Sequence, residues 1–107
     1  MGVRAADPVF QEATYQSVDT SVNSTTVYNG PCVYYGAVVT TVLSAHTVII
    51  QDGTGATLDQ FAASAAVGTK VSWPVGIRCD TSLIVNPDDS STGAITVVYR
   101  PLAGFTP

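Results

Sequence analysis

Charged residues are scarce in this sequence. Asp, Glu, Lys and Arg make up 11% of its 107 residues, against about 25% in an average soluble domain. Four basic residues, Arg4, Lys70, Arg78 and Arg100, are scattered along the chain beside eight acidic ones, for a net charge of -4. Recognition of a phosphate backbone takes clustered Lys and Arg, so the sequence argues against nucleic-acid binding. Histidine is rarer still: His46 is the single copy, and any triad or zinc site has to run through it. Ser44, two residues away, points to the same side of an extended segment, but nothing nominates an orienting acid or an oxyanion site. One His and two distant cysteines leave a Cys/His zinc site short of ligands. Long apolar runs are also missing, and none approaches the ~20 residues of a membrane-spanning helix. No apolar segment of a secretory signal follows Met1-Gly2-Val3-Arg4. These absences read as a soluble protein made in a reducing cytosol, with Cys32 and Cys79 buried and free.

The acidic residues carry no clearer chemistry. Asp52-Gly53-Thr54-Gly55 lacks the repeated oxygens of a calcium loop, and Asp88-Asp89 read as a solvated loop. Gly53-x-Gly55 lacks the third glycine and the following helix of a phosphate cradle. The expectation is a chain without catalytic residues, cofactor or metal.

What is present is alternation. Ile77, Cys79, Leu83 and Val85 share one parity, while Arg78, Asp80 and Ser82 share the other, as a strand with one buried face requires. Pro74 and Asn86-Pro87 punctuate that stretch. Before it, Thr69-Lys70-Val71-Ser72-Trp73 alternates with Val71 and Trp73 inward; after it, Ala94–Arg100 buries Ile95, Val97 and Tyr99. Asn29-Gly30-Pro31 is a turn, and it launches Cys32–Val42, apolar on both parities. Such a strand lies centrally or has its outer face covered, and Gly36 within it suggests a bulge. Asp52-Gly53 between two β-like runs marks a hairpin. Ala62–Val67 is too short for a helix before Gly68 and reads as a loop. Strands at intervals of ~8–12 residues predict an all-β antiparallel β-sandwich of seven or eight strands, jelly-roll-like or Ig-like.

With 46% apolar residues and few charges, the surface must be covered by Ser, Thr, Asn and Gln or by a partner. Residues 1–24 differ from the rest and predict an extended N-terminal arm, most clearly over residues 1–13, with the sandwich spanning 25–107. Such a segment reads either as a frayed terminus or as an arm that orders on a neighbouring subunit. Val9, Phe10 and Tyr15 in the arm, with Tyr34 and Tyr35 on opposite sides of one strand, are the candidate interface residues. An exposed tyrosine serves either a protein contact or stacking on a sugar.

The segments Asn29–Gly36, Val48–Thr54, Pro74–Cys79, Ser82–Val85 and Gly93–Tyr99 together resemble the small all-β structural proteins of tailed bacteriophage particles. The resemblance spans residues 25–101 and rests on turns and strands. It implies a structural role at a virion position such as capsid decoration (cement), a head fibre or a tail part. It implies as partners the major capsid protein or other virion proteins, with no membrane contact. The expectation is a homo-oligomer, with a trimer favoured, on the capsid surface after assembly in the host cytoplasm. A host-surface or carbohydrate-binding module is the alternative.

Overall fold

The computed structural model describes residues 13–87 and 92–102. Among these residues the elements are eight antiparallel strands: β1 (Thr14–Asp19), β2 (Thr25–Tyr28), β3 (Cys32–Thr41), β4 (Val48–Asp52), β5 (Thr57–Phe61), β6 (Lys70–Cys79), β7 (Leu83–Pro87) and β8 (Ala94–Pro101). They form two four-stranded sheets, ordered β1-β8-β3-β6 and β2-β7-β4-β5. Consecutive strands cross from one sheet to the other at every step except β4–β5. This wrapping is that of an eight-stranded jelly roll, which resolves the choice between jelly-roll and Ig-like arrangements.

The core is the inward parity of both sheets. Val39, Ile95 and Val97 from the first sheet meet Ile50, Leu83 and Val85 from the second, all essentially without solvent contact. Each such side chain contributes about 1.5–3 kcal/mol relative to its exposed state. The two-sided apolar strand is β3, and it does lie centrally, between β8 and β6. Its register shifts between Tyr34 and Gly36 against both neighbours, so the bulge falls where Gly36 predicts it. Gly36 has φ +144°, and a Cβ there would collide with the Val71 carbonyl oxygen of β6. The Asp52-Gly53 signal marks the β4–β5 hairpin, where Asp52 Oδ1 accepts the Thr54 N–H at 2.8 Å. Residues 62–67 form turns and no helix.

Three expectations need correction. The stretch Gly76–Val85 is two strands in two sheets: β6 ends at Cys79, Asp80–Ser82 turn the corner, and β7 begins at Leu83. Cys79, Leu83 and Val85 stay inward across the corner because a chain that switches sheets keeps its inner face toward the same core. Ser82, expected on the wet face, is buried where the corner breaks the alternation, and its carbonyl accepts the Gly53 N–H at 3.1 Å. Second, β1 lies within the expected arm, yet it pairs with β8 from Thr14↔Tyr99 to Asp19↔Ala94 and buries Val18. Scattered polar residues there are those of an edge strand with one buried anchor. Residues 1–12 and 88–91 lie outside the described set, and with them Val9, Phe10 and the Asp88-Asp89 loop.

The third correction concerns β6. Pro74 does not separate two strands; it lies inside β6, an edge strand whose backbone tolerates it. Tyr34 pairs with Ile77 and Gly36 with Ser72, so residues 73–76 oppose Tyr35 alone and arch away from β3. Trp73, expected in the core, is therefore 41% exposed. Val71 and Ile77 are partly buried against the core.

Candidate interaction surfaces

The arch in β6 is fixed at both ends. Gly76 takes φ +84°, and a Cβ there would come within 2.6 Å of Val33 Cγ1 and 2.9 Å of the Tyr35 ring. At the other end, the Trp73 indole N–H donates to Asp59 Oδ2 at 2.7 Å. The Tyr34 hydroxyl donates to the same oxygen at 2.8 Å. Asp59 on β5 thus ties the edge of one sheet to the edge and centre of the other, closing that side of the sandwich. Burial first, and then the bond to the Asp59 carboxylate, push the Tyr34 phenol far above its ordinary pKa. Between its two anchors the arch holds Pro74 and Val75 in water, and Val75 is 89% exposed.

Tyr34 accordingly cannot serve as an accessible interface residue, because its whole side chain is internal. Tyr35 has the opposite parity and is half-buried on the outer face of the first sheet, where its hydroxyl accepts the Arg100 Nε–H at 3.3 Å. Tyr15 projects from β1, 72% exposed. Its register partner is Val98, so both belong to that outer face.

Register gathers on this face what the sequence scatters. Arg100 of β8 and Arg78 of β6 both stand opposite Val33, and Lys70 of β6 stands opposite Val38. Three of the four basic residues therefore surround an apolar centre made of Val33, Tyr35, Val38 and Val98. A groove of about 290 Å³ crosses that centre over Gly36, between Val98 on one side and Lys70 and Ser72 on the other. Arg78 also pairs with Asp80 at 2.6 Å in an exposed position, a contact worth little on its own. Asp19, at the far end of β1, accepts the Ser21 backbone N–H at 2.9 Å, and this bond lowers its pKa.

The thiols are neighbours. Cys32 and Cys79 are direct cross-strand partners, both fully buried and free. The Cys79 S–H leans on the Cys32 sulfur, which holds Cys79 protonated and favours ionisation at Cys32. Ser44 is structural: its Oγ accepts the Thr92 N–H at 3.0 Å, and its own N–H donates to the Thr92 carbonyl. His46 is half-buried in the bend that follows. Among the described residues no three His, Cys, Asp or Glu side chains converge as a metal site.

Sequence reasoning missed the arch and the basic face. Pro74 followed by Gly76 inside an alternating run was a signal for the arch, since proline and glycine in a strand mark a bulge at an edge. The basic face had no local signal, because it depends on which strands pair. No family model, curated protein or solved structure matches this chain.

Proposed function

We propose that the chain is a non-enzymatic structural protein of a tailed bacteriophage virion, a capsid decoration or cement protein that acts as a homo-oligomer on the head exterior. The observation that carries the reading is the quantity of apolar side chain held in water by a small domain. Val75, Tyr15 and Trp73 are exposed, and Val33, Tyr35, Val38 and Val98 form a half-exposed apolar sheet face. Apolar surface gathered in this way is a mark of a contact site. The low charge of the surface removes an obstacle to such contacts. The jelly roll is a common architecture of viral coat domains, although fold alone is an analogy. The sequence resemblance supports the same class.

The experiment is incorporation. Particles assembled with the wild-type chain and with Val75→Asp are purified and imaged by electron microscopy. The reading expects the wild type at regular exterior positions and the variant, folded by circular dichroism, much depleted. A wild-type chain absent from particles sinks it.

One observation favours the second reading, a carbohydrate-binding module. Trp73 offers an exposed aromatic face beside the Asp59 carboxylate, the pairing of stacking surface and hydrogen-bond acceptor that sugars use. A glycan array with no binding beside normal incorporation removes it.

A further inference from the structure

We infer that Cys32 and Cys79 are a latent cross-strand disulfide, which stays open under reducing conditions and closes when the folded protein meets an oxidising small disulfide. The inference is independent of the proposed place in a virion. Cys32 and Cys79 are Cα partners in the β3–β6 register. Residues directly opposed in an antiparallel pair have Cα atoms about 4.5–5.5 Å apart, inside the ~4.4–6.8 Å span that disulfides bridge. Both side chains point into the core, since neither has any solvent contact. The two sulfurs therefore lie side by side in one layer, and the Cys79 S–H already bonds to the Cys32 sulfur. Closing the bridge takes rotation about the side-chain bonds and no change of strand register.

Buried thiols need a route to the oxidant, and the arch in β6 supplies it. Residues 73–76 leave the ladder, so the end of β6 is held to β3 through three register pairs, Ile77, Arg78 and Cys79 opposite Tyr34, Val33 and Cys32. β6 is an edge strand, whereas Cys32 is also held from its other side by Pro101 of β8. A short edge piece of this kind opens locally without global unfolding. In the opened state one protein thiolate attacks a sulfur of the small disulfide and displaces one small thiolate, leaving a mixed disulfide. The second protein thiolate attacks the protein sulfur of that intermediate, forms the Cys32–Cys79 bond and displaces the other small thiolate. Two protein thiols are oxidised, and one small disulfide is reduced to two thiols that take up the two protons. The bridge encloses about 50 residues, β4 and β5 among them, and so removes much chain entropy from the unfolded state. It also ties down the Gly76 end of the arch that carries Trp73 and Val75.

The test uses the full chain, purified with reductant, exchanged into oxidised glutathione under native conditions and quenched with acid. Intact mass and peptide mapping without reductant identify the products. The expected product is a chain bridged internally from Cys32 to Cys79, with β-structure unchanged by circular dichroism. Its Tm should rise by about 10–20 °C over that of the reduced protein, and dithiothreitol should reverse the rise. Hydrogen exchange across Ile77–Cys79 should slow several-fold in the bridged form. The comparison is between two redox states of the wild type, so it needs no variant that could fail to fold. A folded protein that keeps both thiols, stops at glutathione adducts or bridges only between chains overturns the inference. A bridge that forms only in denaturant, or one that fails to raise Tm, overturns it as well.

Discussion

Removing the Asp59 carboxylate tests how the sandwich is closed. In Asp59→Ala the Tyr34 hydroxyl, inside a residue with no solvent contact, loses its acceptor and cannot recover water. A buried donor left in this way costs about 1–3 kcal/mol. The Trp73 indole N–H loses the same acceptor, but Trp73 is exposed and regains water, so its share is small. A total near 2 kcal/mol is expected, equivalent in a domain of this size to a fall in Tm on the order of 10 °C. Tyr34→Phe should cost less, about 1 kcal/mol, because the half-exposed carboxylate keeps Trp73 and solvent. Asp59→Asn retains an acceptor oxygen and should recover most of the loss. In the Tyr34→Phe background, Asp59→Ala should become cheaper by about 1–2 kcal/mol, the coupling expected of contacting residues. Urea titrations of the four proteins in the cycle supply the values. Additive costs, or an Asp59→Ala protein within about 0.5 kcal/mol of wild type, refute the bridge.

Other outcomes follow from the same geometry. Gly36→Ala should destabilise by at least the ~1–3 kcal/mol of a side chain forced to positive φ, with the Val71 carbonyl clash added; an unchanged denaturation midpoint contradicts the bulge. Trp73→Ala, on an exposed arch, should cost well below the ~3–5 kcal/mol of a core tryptophan, and a loss in that range would return Trp73 to the core. Stability should fall at strongly alkaline pH: burial and the Asp59 carboxylate raise the Tyr34 phenol in the folded state, so its contribution is full below ~10 and is lost as pH climbs past that value. Tyr34→Phe should flatten the fall above pH ~10 in thermal melts, and an unaltered profile contradicts the buried phenol. Cys32 and Cys79 should both label with a thiol reagent after denaturation of protein purified from a reducing cytosol; a quantitative disulfide in non-reducing mass spectrometry contradicts this.

The legible part of the fold was whatever depends on short-range alternation. Ile95, Val97 and Tyr99 face inward as their parity requires, and Cys32–Thr41 is central because both its faces are apolar. Gly36 and Asp52-Gly53 announced a bulge and a hairpin through backbone conformations that other residues reach at a cost. Alternation says nothing of which sheet a strand joins, so the corner at Asp80–Ser82 reads in sequence as continuous strand. The misplacement of Trp73 has a related cause. Parity holds only while the ladder runs unbroken, and residues 73–76 leave it. Thr14–Asp19 was hidden because an edge strand with one anchor, Val18, has almost no periodic signal. The candidate site divided along the same line. Tyr35 and Tyr15 do reach the surface, Tyr34 does not, and the meeting of Lys70, Arg78 and Arg100 exists through pairing across β3 and β8.

A domain with this much exposed apolar surface is expected to bury it against copies of itself. An isolated jelly roll has free edge strands and an apolar outer face, both hazards for a monomer, and a stable contact takes about 800 Å² from each partner. The deciding measurement is the mass of the full chain by sedimentation equilibrium at micromolar concentration and near-physiological salt. The account predicts a closed oligomer, a trimer, that Val38→Asp dissociates without loss of β-structure. A wild-type monomer across the concentration range contradicts it.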